Sequence, residues 1–248
     1  MLGIPLAVSN YGEVLDWMEA VIAAGERGYL TAAAVNLVMS AREEPATLAA
    51  TLDATLAVPD GMPLVWALRL LGHPRATRVY GPDLMAAFCA RAARGGTPIY
   101  LYGGRTPEAL ELLVRRLRER FRGLAIVGGH SPPFREATPE EEEHTIAAID
   151  ASGAQVVWVG TGQPKQERWM QRMRPRLRAP LLVGVGAAFD FHAGLVPQAP
   201  PWMQRSGLEW GYRLAREPRR LWRRYAHHNP RFVVGFARQY WRERRSGA

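Results

Sequence analysis

Residues 155–170, QVVWVGTGQPKQERWM, contain the pattern that decides the fold. The apolar run over residues 155–159 predicts a strand, and residues 163–173 have the pattern of an amphipathic helix. A turn with two glycines joins them. Because the strand is apolar throughout, without alternating polar residues, it is typical of a parallel strand that is covered on both faces.

The same succession of strand, turn and helix recurs on both sides of this segment. Apolar runs predict further strands at residues 30–35, 56–58, 98–102, 124–127 and 181–185. Helical patterns lie between them, at residues 36–41, 45–55, 64–71, 82–93 and 107–121, and from Thr138 onward. Strands that alternate with helices predict an α/β fold, a Rossmann-like parallel sheet sandwiched by helices.

In folds of this kind, ligands bind beyond the carboxyl ends of the strands. We therefore expect the functional residues in the turns that follow the predicted strands. These turns are Asn36, Pro59-Asp60-Gly61, Gly103-Gly104, Gly128-Gly129-His130, Gly160-Thr161-Gly162 and Gly184-Val185-Gly186.

The segment 160–167 is the densest polar cluster among these turns. It opens a helix, so its backbone N–H groups suit a phosphate, although it lacks the Gly-Lys-Ser/Thr ending of a Walker loop. Lys165 is the only lysine in a chain with 31 arginines, and a compact ammonium here fits a phosphate contact. A capped helix with a surface lysine is the alternative.

The turn at residues 184–189, GVGAAF, resembles half of a dinucleotide-binding fingerprint. Phe189 stands at the third position of that pattern, and no strand–turn–helix unit with an acid about 20 residues later follows. A nucleotide-binding oxidoreductase is therefore a disfavoured alternative. Asp190, just past this turn, is either a contact to a ribose or base, or a helix cap.

Asp60 is the candidate catalytic residue. It stands between Pro59 and Gly61, after an apolar segment and before a helix. A carboxylate held there can take a proton from a sugar hydroxyl as a general base. Pro-Asp-Gly is also a common turn sequence, so both interpretations stay open at this point.

The remaining residues disfavour several classes of protein. Cys89 is the only cysteine, which excludes a disulfide framework and a multi-cysteine metal site and favours a reducing compartment. The histidines show no ligand spacing, and no second carboxylate accompanies Asp60 as a paired-acid glycosidase requires. We therefore expect a mechanism without metal or cofactor. No signal-peptide pattern and no run of 18 apolar residues is present. We therefore expect a cytoplasmic protein, either free in the cytosol or lying on a membrane surface without crossing it.

The positive charge is concentrated in residues 197–248. Residues 1–196 carry 20 basic and 20 acidic residues, whereas residues 197–248 carry 12 arginines and three glutamates, so the net charge of +9 belongs to this last segment. Four of the eight tryptophans also lie there. We interpret residues 1–196 as an α/β catalytic domain. We expect residues 197–248 to form an Arg-rich appendage of two or three helices, interrupted at Glu217-Pro218 and Asn229-Pro230.

Interleaved arginine and aromatic side chains in the appendage indicate a surface that meets an anion. Arginine binds phosphate with two parallel hydrogen bonds, and a basic, aromatic helix suits the anionic heads of a membrane. A solvated helical surface is one alternative. A module that binds nucleic acid is another. It is disfavoured because the body, residues 1–196, has no net charge and does not extend a basic track.

Seven motifs in order resemble those of the WecG/TagA/CpsF glycosyltransferases, from about residue 8 to about residue 236. They are VNLVM (35–39), VPDGMPLVWALRLLG (58–72), RVYGPDL (78–84), YLYGG (100–104), VGTGQPKQERWM (159–170), GVGAAFDFHAG (184–194) and PQAPPWMQRSGLEWGYRLAREPRRLWRRY (197–225). The resemblance implies an inverting, metal-independent transferase that uses a UDP-sugar. Its acceptor would be a sugar on undecaprenyl diphosphate at the cytoplasmic face of the membrane.

By motif position, the resemblance also implies roles for single residues. Asp60 is similar to the family's catalytic base. Asn36 and Arg78 would lie near the acceptor or donor sugar, and Gln166 and Asp190 at the nucleotide sugar. The arginines expected at the lipid diphosphate are Arg213, Arg220 and Arg223, and to the substrate contacts we add Gly103, Gly104, Gly160 and Lys165.

One departure from the family pattern is Ala34, where many members have threonine. The lost hydroxyl affects the expected sugar specificity more than the chemistry. N-acetylmannosamine, its uronic acid and glucose all remain open as the transferred sugar. The polysaccharide pathway and the oligomeric state also stay open, and a homo-oligomer is compatible with the sequence.

Overall fold

The computed structural model describes residues 1–246 and confirms the α/β fold. Its strands are β1 (Gly28–Ala33), β2 (Leu56–Pro59), β3 (Ile99–Gly103), β4 (Ile126–His130), β5 (Val156–Gly160) and β6 (Leu181–Gly184). The first nine helices are α1 (Tyr11–Ala24), α2 (Val35–Glu43), α3 (Pro45–Leu52), α4 (Met62–Leu70), α5 (Gly81–Gly95), α6 (Pro107–Arg120), α7 (Pro139–Ala151), α8 (Lys165–Met173) and α9 (Ala188–His192). Residues 197–246 add α10 (Pro201–Arg205), α11 (Glu209–Arg216) and α12 (Pro218–Ser246).

All six strands pair in parallel, in the order β2-β1-β6-β5-β3-β4. β3 and β5 are adjacent in the sheet, but the connections that follow them run in opposite directions. The chain continues from β3 to β4 at one edge of the sheet, and from β5 to β6 on the other side. Open parallel sheets bind ligands at such a topological switch point. Gly103 and Gly160 pair there, at the carboxyl ends of their strands.

Alternate strand residues face two different layers of helices. On one face, Trp158 and Val183 are buried in a core that includes residues of α1, α5 and α6. On the other face, Val159 and Leu182 are buried with residues of α7 and α8. This burial on both sides explains why the inner strands β1, β3, β5 and β6 are almost entirely apolar, and it confirms the predicted sandwich. The edge strand β4 is only partly buried.

Two strand boundaries differ from the predictions. Residues 30–35 are predicted as one strand, but β1 ends at Ala33 and α2 begins at Val35, which places Asn36 in the first turn of a helix. Residues 128–130 are predicted as a turn, but they belong to β4. Glycine is favoured at 128 because a Cβ there would come within 2.5 Å of the Tyr100 ring on β3.

Helix α1 is absent from the sequence-based prediction. Its start carries a recognisable signal, a capping box in which the Asn10 side chain accepts from the backbone N–H of Glu13 and the Glu13 side chain accepts from that of Asn10. The buried side of the helix includes Val14 and Met18, which pack on the sheet.

The appendage follows the predictions in one place and departs from them in another. The chain breaks between α11 and α12 at residues 217–218 as predicted, but α12 continues through Pro230. Proline inside a helix removes a backbone hydrogen bond. Leu221 and Phe232, on either side of Pro230, are buried, so packing against the body maintains the helix. The domain boundary at residue 197 remains a prediction. Among residues 1–246, no helix has both the length and the apolar character needed to span a membrane.

Candidate active site

Asp60 lies directly after β2, at the carboxyl edge of the sheet. Its backbone N–H donates to the carbonyl of Ala33 at the end of β1, with an N···O distance of 2.8 Å. The side chain is 19% exposed. A fixed backbone and a carboxylate that is mostly buried but still partly exposed make the turn compatible with a catalytic role.

Arg78 connects Asp60 to the appendage. Its Nε donates to the backbone carbonyl of Asp60, and its Nη2 lies 3.4 Å from Asp60 Oδ1 and 2.5 Å from Glu209 Oε2 on α11. Tyr80 donates its hydroxyl to Glu209 Oε1 at 3.0 Å. The Tyr80 ring also lies under the Arg78 guanidinium, 3.9 Å from Cζ to the ring centroid. The structure thus brings Asp60 and Arg78 together and adds Tyr80 and Glu209.

The pKa of Asp60 is raised to about 7. Burial is the largest cause, because it disfavours the charged carboxylate, and the positive charge of Arg78 opposes it. The negative charge of Glu209 raises this pKa further, and Arg213 on α11 lowers it. An aspartate with such a pKa is a stronger base than an ordinary one, and near neutral pH a substantial fraction of it is ionised.

Asn36 faces the appendage from the first turn of α2. Its Oδ1 lies 3.0 Å from Nδ1 of His228 on α12. His228 is buried, and its Nε2 lies 3.6 Å from Glu43 Oε2. Because the Asn36 oxygen can only accept, His228 donates its Nδ1–H in this arrangement. The Asn36 amide nitrogen is left to donate to another group.

Ala34 is the N-cap residue of α2. Its backbone is extended, and no side-chain hydrogen bond caps the helix. A threonine at this position would place a hydroxyl at the N-cap, next to Asn36 and the Asp60 turn. The departure from the family pattern therefore falls beside the candidate site.

Gln166 and Glu167 form a buried polar pair at the start of α8. Glu167 Oε1 accepts from Thr31 Oγ1 at 2.7 Å and from Gln166 Nε2 at 2.9 Å. Burial raises the pKa of Glu167. Gln166 Oε1 and Glu167 Oε2 are buried without a hydrogen-bond partner in residues 1–246. A buried acceptor without a hydrogen bond costs free energy unless a ligand donates to it. The nucleotide-sugar contact at Gln166 remains a prediction.

At the switch point, packing and backbone conformation favour glycine independently of any substrate. A Cβ on Gly103, whose φ is +138°, would come within 2.7 Å of the Gly160 backbone, and a Cβ on Gly160 would come within 2.5 Å of the Phe189 ring. Gly104 also has a positive φ of +99°. Lys165 is exposed, and no ion pair within the described residues includes it. Substrate contacts at these four positions remain predictions.

Asp190 on α9 is held by Arg105. Arg105 Nε donates to Asp190 Oδ1 at 3.0 Å, and Arg105 Nη2 lies 2.9 Å from Asp190 Oδ2. The same Nη2 lies 3.2 Å from an oxygen of Glu217, which ends α11. A nucleotide that contacts Asp190 must therefore share this carboxylate with Arg105.

Two appendage arginines have unpaired, buried donors. The Nε atoms of Arg213 and Arg224 have no hydrogen-bond partner among residues 1–246. Burial lowers the pKa of Arg224, and the positive charges of Arg213 and Arg220 lower it further. Arg213 and Arg220 therefore each lie close enough to Arg224 to repel it, which an anion would relieve. Arg220 also forms an ion pair with Glu217. Arg223, predicted to join them, lies over the Trp222 ring, 5.5 Å from Cζ to the centroid.

Glu43, His227 and His228 bring three possible metal ligands within 4.8 Å of one another. Sequence spacing did not predict this cluster, because α2 and α12 supply it from distant parts of the chain. Arg231 Nη1 lies 2.8 Å from Glu43 Oε1, so the carboxylate already has a cationic partner. The expectation of a metal-free mechanism stays a prediction.

The structure adds Glu209, His228 and Arg224 to the site residues that the sequence predicts. In the sequence, Glu209 is one of three negative charges in a basic segment. An acidic residue in a segment with so many arginines indicates a specific ion pair. This pattern could have identified Glu209 from the sequence. For His228 and Arg224, the contacts depend on how α12 packs, which no local pattern reveals.

Together these observations define an α/β protein with a polar site at the carboxyl edge of a parallel sheet, closed on one side by an Arg-rich helical segment. Residues 1–246 match the model of the glycosyl transferase WecG/TagA/CpsF family. The chain belongs to this family and is therefore a glycosyltransferase. The match confirms the resemblance that the seven motifs indicate.

Proposed function

We propose that the chain is an inverting, metal-independent glycosyltransferase that moves a sugar from a UDP-sugar to an acceptor sugar on a polyprenyl diphosphate. It works at the cytoplasmic surface of a membrane in the synthesis of a cell-surface polysaccharide. The transferred sugar is N-acetylmannosamine, its uronic acid or glucose. The observation that carries this proposal is Asp60, a carboxylate with a raised pKa, fixed at a strand end beside Arg78 and close to Arg213 of the appendage.

In the proposed reaction, Asp60 acts as the general base. Its carboxylate takes the proton from an acceptor hydroxyl while that oxygen forms a bond to the anomeric carbon of the donor. The bond between the anomeric carbon and the diphosphate oxygen breaks, and UDP departs with the electron pair. Because attack and departure occur on opposite faces, the anomeric configuration inverts.

Without a metal, positive groups of the protein must stabilise the departing diphosphate. The backbone N–H groups at the start of α8 and the arginines of α11 and α12 are the candidates. Arg213 and Arg224 support this role, since each has a buried, unpaired Nε donor. Which of the appendage arginines meet the donor diphosphate and which meet the lipid diphosphate is part of the proposal to be tested.

The exposed tryptophans of the appendage support docking on a membrane. Their exposed fractions are 58% for Trp202, 45% for Trp210, 52% for Trp222 and 61% for Trp241. Tryptophan favours the interface between water and lipid, where its ring is apolar and its N–H can still find a partner. Arginines around these rings would meet anionic lipid heads.

A transfer assay tests the proposal. Purified protein is mixed with a panel of UDP-sugars and short polyprenyl-diphosphate acceptors that carry one sugar. We expect one UDP-sugar to give an elongated lipid and UDP, with inversion at the anomeric carbon by NMR. Thermal stabilisation by UDP but not by NAD is expected as well. Stabilisation by NAD alone, with no transfer from any UDP-sugar, would favour the oxidoreductase alternative.

A further inference from the structure

Arg78 has two carboxylates beside it and binds them unequally. Its Nη2 lies 2.5 Å from Glu209 Oε2 but 3.4 Å from Asp60 Oδ1. Its Nε donates to the backbone carbonyl of Asp60 and not to the side chain. The guanidinium thus fixes the position of the Asp60 turn, while its closest ion pair is with Glu209.

The unequal binding of Arg78 to the two carboxylates affects the strength of Asp60 as a base. A guanidinium next to an aspartate lowers the pKa of that carboxylate by roughly 1–3 units when it has no other partner. A carboxylate with so low a pKa takes protons poorly near neutral pH. Glu209 occupies one side of Arg78 and adds a negative charge near Asp60, so both effects keep the Asp60 carboxylate basic.

Glu209 is itself well fixed. It lies in the first turn of α11, it is 9% exposed, and Tyr80 donates to its second oxygen at 3.0 Å. Arg78, Tyr80 and Glu209 therefore form a closed set in which each carboxylate oxygen of Glu209 has its own donor. Such a set holds the Arg78 guanidinium in one orientation.

We propose that Glu209 is a positioning residue for glycosyl transfer, which binds Arg78 and thereby leaves the Asp60 carboxylate free to act as the base. This inference rests on the proposed function of Asp60. Because Glu209 belongs to α11, it can bind Arg78 in this way only when the appendage is packed against the body. An acceptor hydroxyl, or water, is then activated only in the closed site.

Several groups face Asp60 and bear on its titration. Arg78 and Tyr80 come from the segment before α5, Glu209 and Arg213 come from α11, and Tyr11 comes from α1. The two arginines favour the ionised carboxylate, and Glu209 disfavours it. The pKa values of both tyrosines are raised above the ordinary value, so these side chains stay neutral where Asp60 titrates.

The test is the pH profile of kcat/KM for the full chain and for Glu209→Gln, from about pH 5 to about pH 9. Glutamine keeps the shape and can still accept from Tyr80, but it removes the charge. We expect a lower rate and a midpoint of the acidic limb that moves down by roughly half a unit or more. Glu209→Asp, which keeps the charge, should return the midpoint toward the wild-type value.

Glu243→Gln is the matched control, because it removes one exposed acid from the same appendage. Glu243 lies near the end of α12, where it accepts from Gln239, and its variant should keep the wild-type midpoint. Titration of the Asp60 carboxyl by carbon NMR, assigned with Asp60→Asn, measures the same shift without catalysis. An unchanged Asp60 midpoint in Glu209→Gln by both methods would overturn the inference, whether or not the rate falls.

The outcomes also separate this inference from the proposed function. If wild-type protein transfers sugar, Asp60→Asn is inactive and the Glu209→Gln midpoint is unchanged, Asp60 remains the base and Glu209 has no positioning role. If Asp60→Asn retains transfer activity, the proposed function of Asp60 fails first. A lower midpoint in the NMR titration would then still establish the electrostatic coupling of Glu209 to Asp60.

Discussion

Asp60 combines a raised pKa with a position at the edge of the core, and this combination affects stability as well as chemistry. An unfolded aspartate ionises near pH 3.9, whereas folded Asp60 ionises near pH 7. Between these values, the folded state binds more protons than the unfolded state. The free energy of unfolding therefore falls as the pH rises through this window. The fold tolerates a charged, poorly solvated carboxylate above pH 7.

Asp60→Asn should therefore raise the melting temperature at pH 8 by a few degrees, at roughly 2–4 °C for each kcal/mol gained. At about pH 3.5, where Asp60 is largely protonated in both the folded and the unfolded state, we expect little difference from the wild type. Thermal unfolding at both pH values measures this. Asp16→Asn, at a carboxylate that is 71% exposed, is the control and should show no such pH-dependent gain. Equal melting temperatures of Asp60→Asn and wild type at pH 8 would contradict the conclusion that burial of the ionised Asp60 carboxylate destabilises the fold.

At the level of single elements, the inner strands and the segment β5–α8 are predictable because burial on both faces gives a continuous apolar run. The position of Asn36 is harder to predict. Val35 continues the apolar run of β1, and only the backbone turn at Ala34 makes it the first residue of α2. Pro230 is predicted to end a helix, yet packing of Leu221 and Phe232 keeps α12 continuous. Local patterns fail where tertiary contacts outweigh them.

Helix α2 offers a simple test of the departure at Ala34. Ala34→Thr supplies a side-chain oxygen at the N-cap, where the backbone is already extended. We expect the free energy of unfolding to rise by about 0.5–1 kcal/mol, measured by urea denaturation. Ala33→Thr, one residue earlier and fully buried in β1, is the control and should destabilise the protein. A loss of stability in Ala34→Thr would show that the position has no room for the family's usual residue.

Helix α12 should influence Asn36 through His228. His228→Ala removes the hydrogen bond to Asn36 Oδ1, so the Asn36 amide loses the partner that fixes its orientation. We expect kcat/KM for the acceptor to fall roughly 3- to 10-fold, as the loss of one hydrogen bond of about 1 kcal/mol implies. His227→Ala is the matched control, since the exposed His227 contacts Glu43 and not Asn36. Equal losses in both variants would contradict a specific role of His228.

At the scale of the whole molecule, an appendage with a strongly positive charge packs on a body with no net charge. Two glutamates of the appendage contact arginines of the body, because Glu209 binds Arg78 and Glu217 binds Arg105. Both body arginines also contact a candidate site carboxylate, Asp60 or Asp190. The sequence predicts that the positive charge is concentrated in the appendage, and its motifs predict Asp60 and Arg78 as site residues. It does not predict these cross-links, because each one joins residues more than a hundred positions apart.

Binding to lipid vesicles tests the appendage as a membrane-facing surface. We expect the protein to sediment with phosphatidylglycerol vesicles much more than with phosphatidylcholine vesicles, and added salt should weaken the binding. The double variant Trp222→Ser and Trp241→Ser should lower the affinity roughly tenfold or more, because it removes two interfacial rings. Phe134→Ser, at an aromatic residue of the body that is 82% exposed, is the control. Equal binding to both lipids would contradict this role.

The most direct test of Asp60 as the base is the rate of sugar transfer by Asp60→Asn, measured beside UDP binding. A carboxamide in place of the carboxylate cannot accept the proton, so we expect transfer from the UDP-sugar to the lipid-diphosphate acceptor to fall roughly 10²- to 10⁴-fold, with UDP binding intact. Asp53→Asn, at the amino end of β2 and thus at the opposite edge of the sheet, should transfer at the wild-type rate. Transfer by Asp60→Asn at a rate close to wild type would contradict the catalytic role of Asp60.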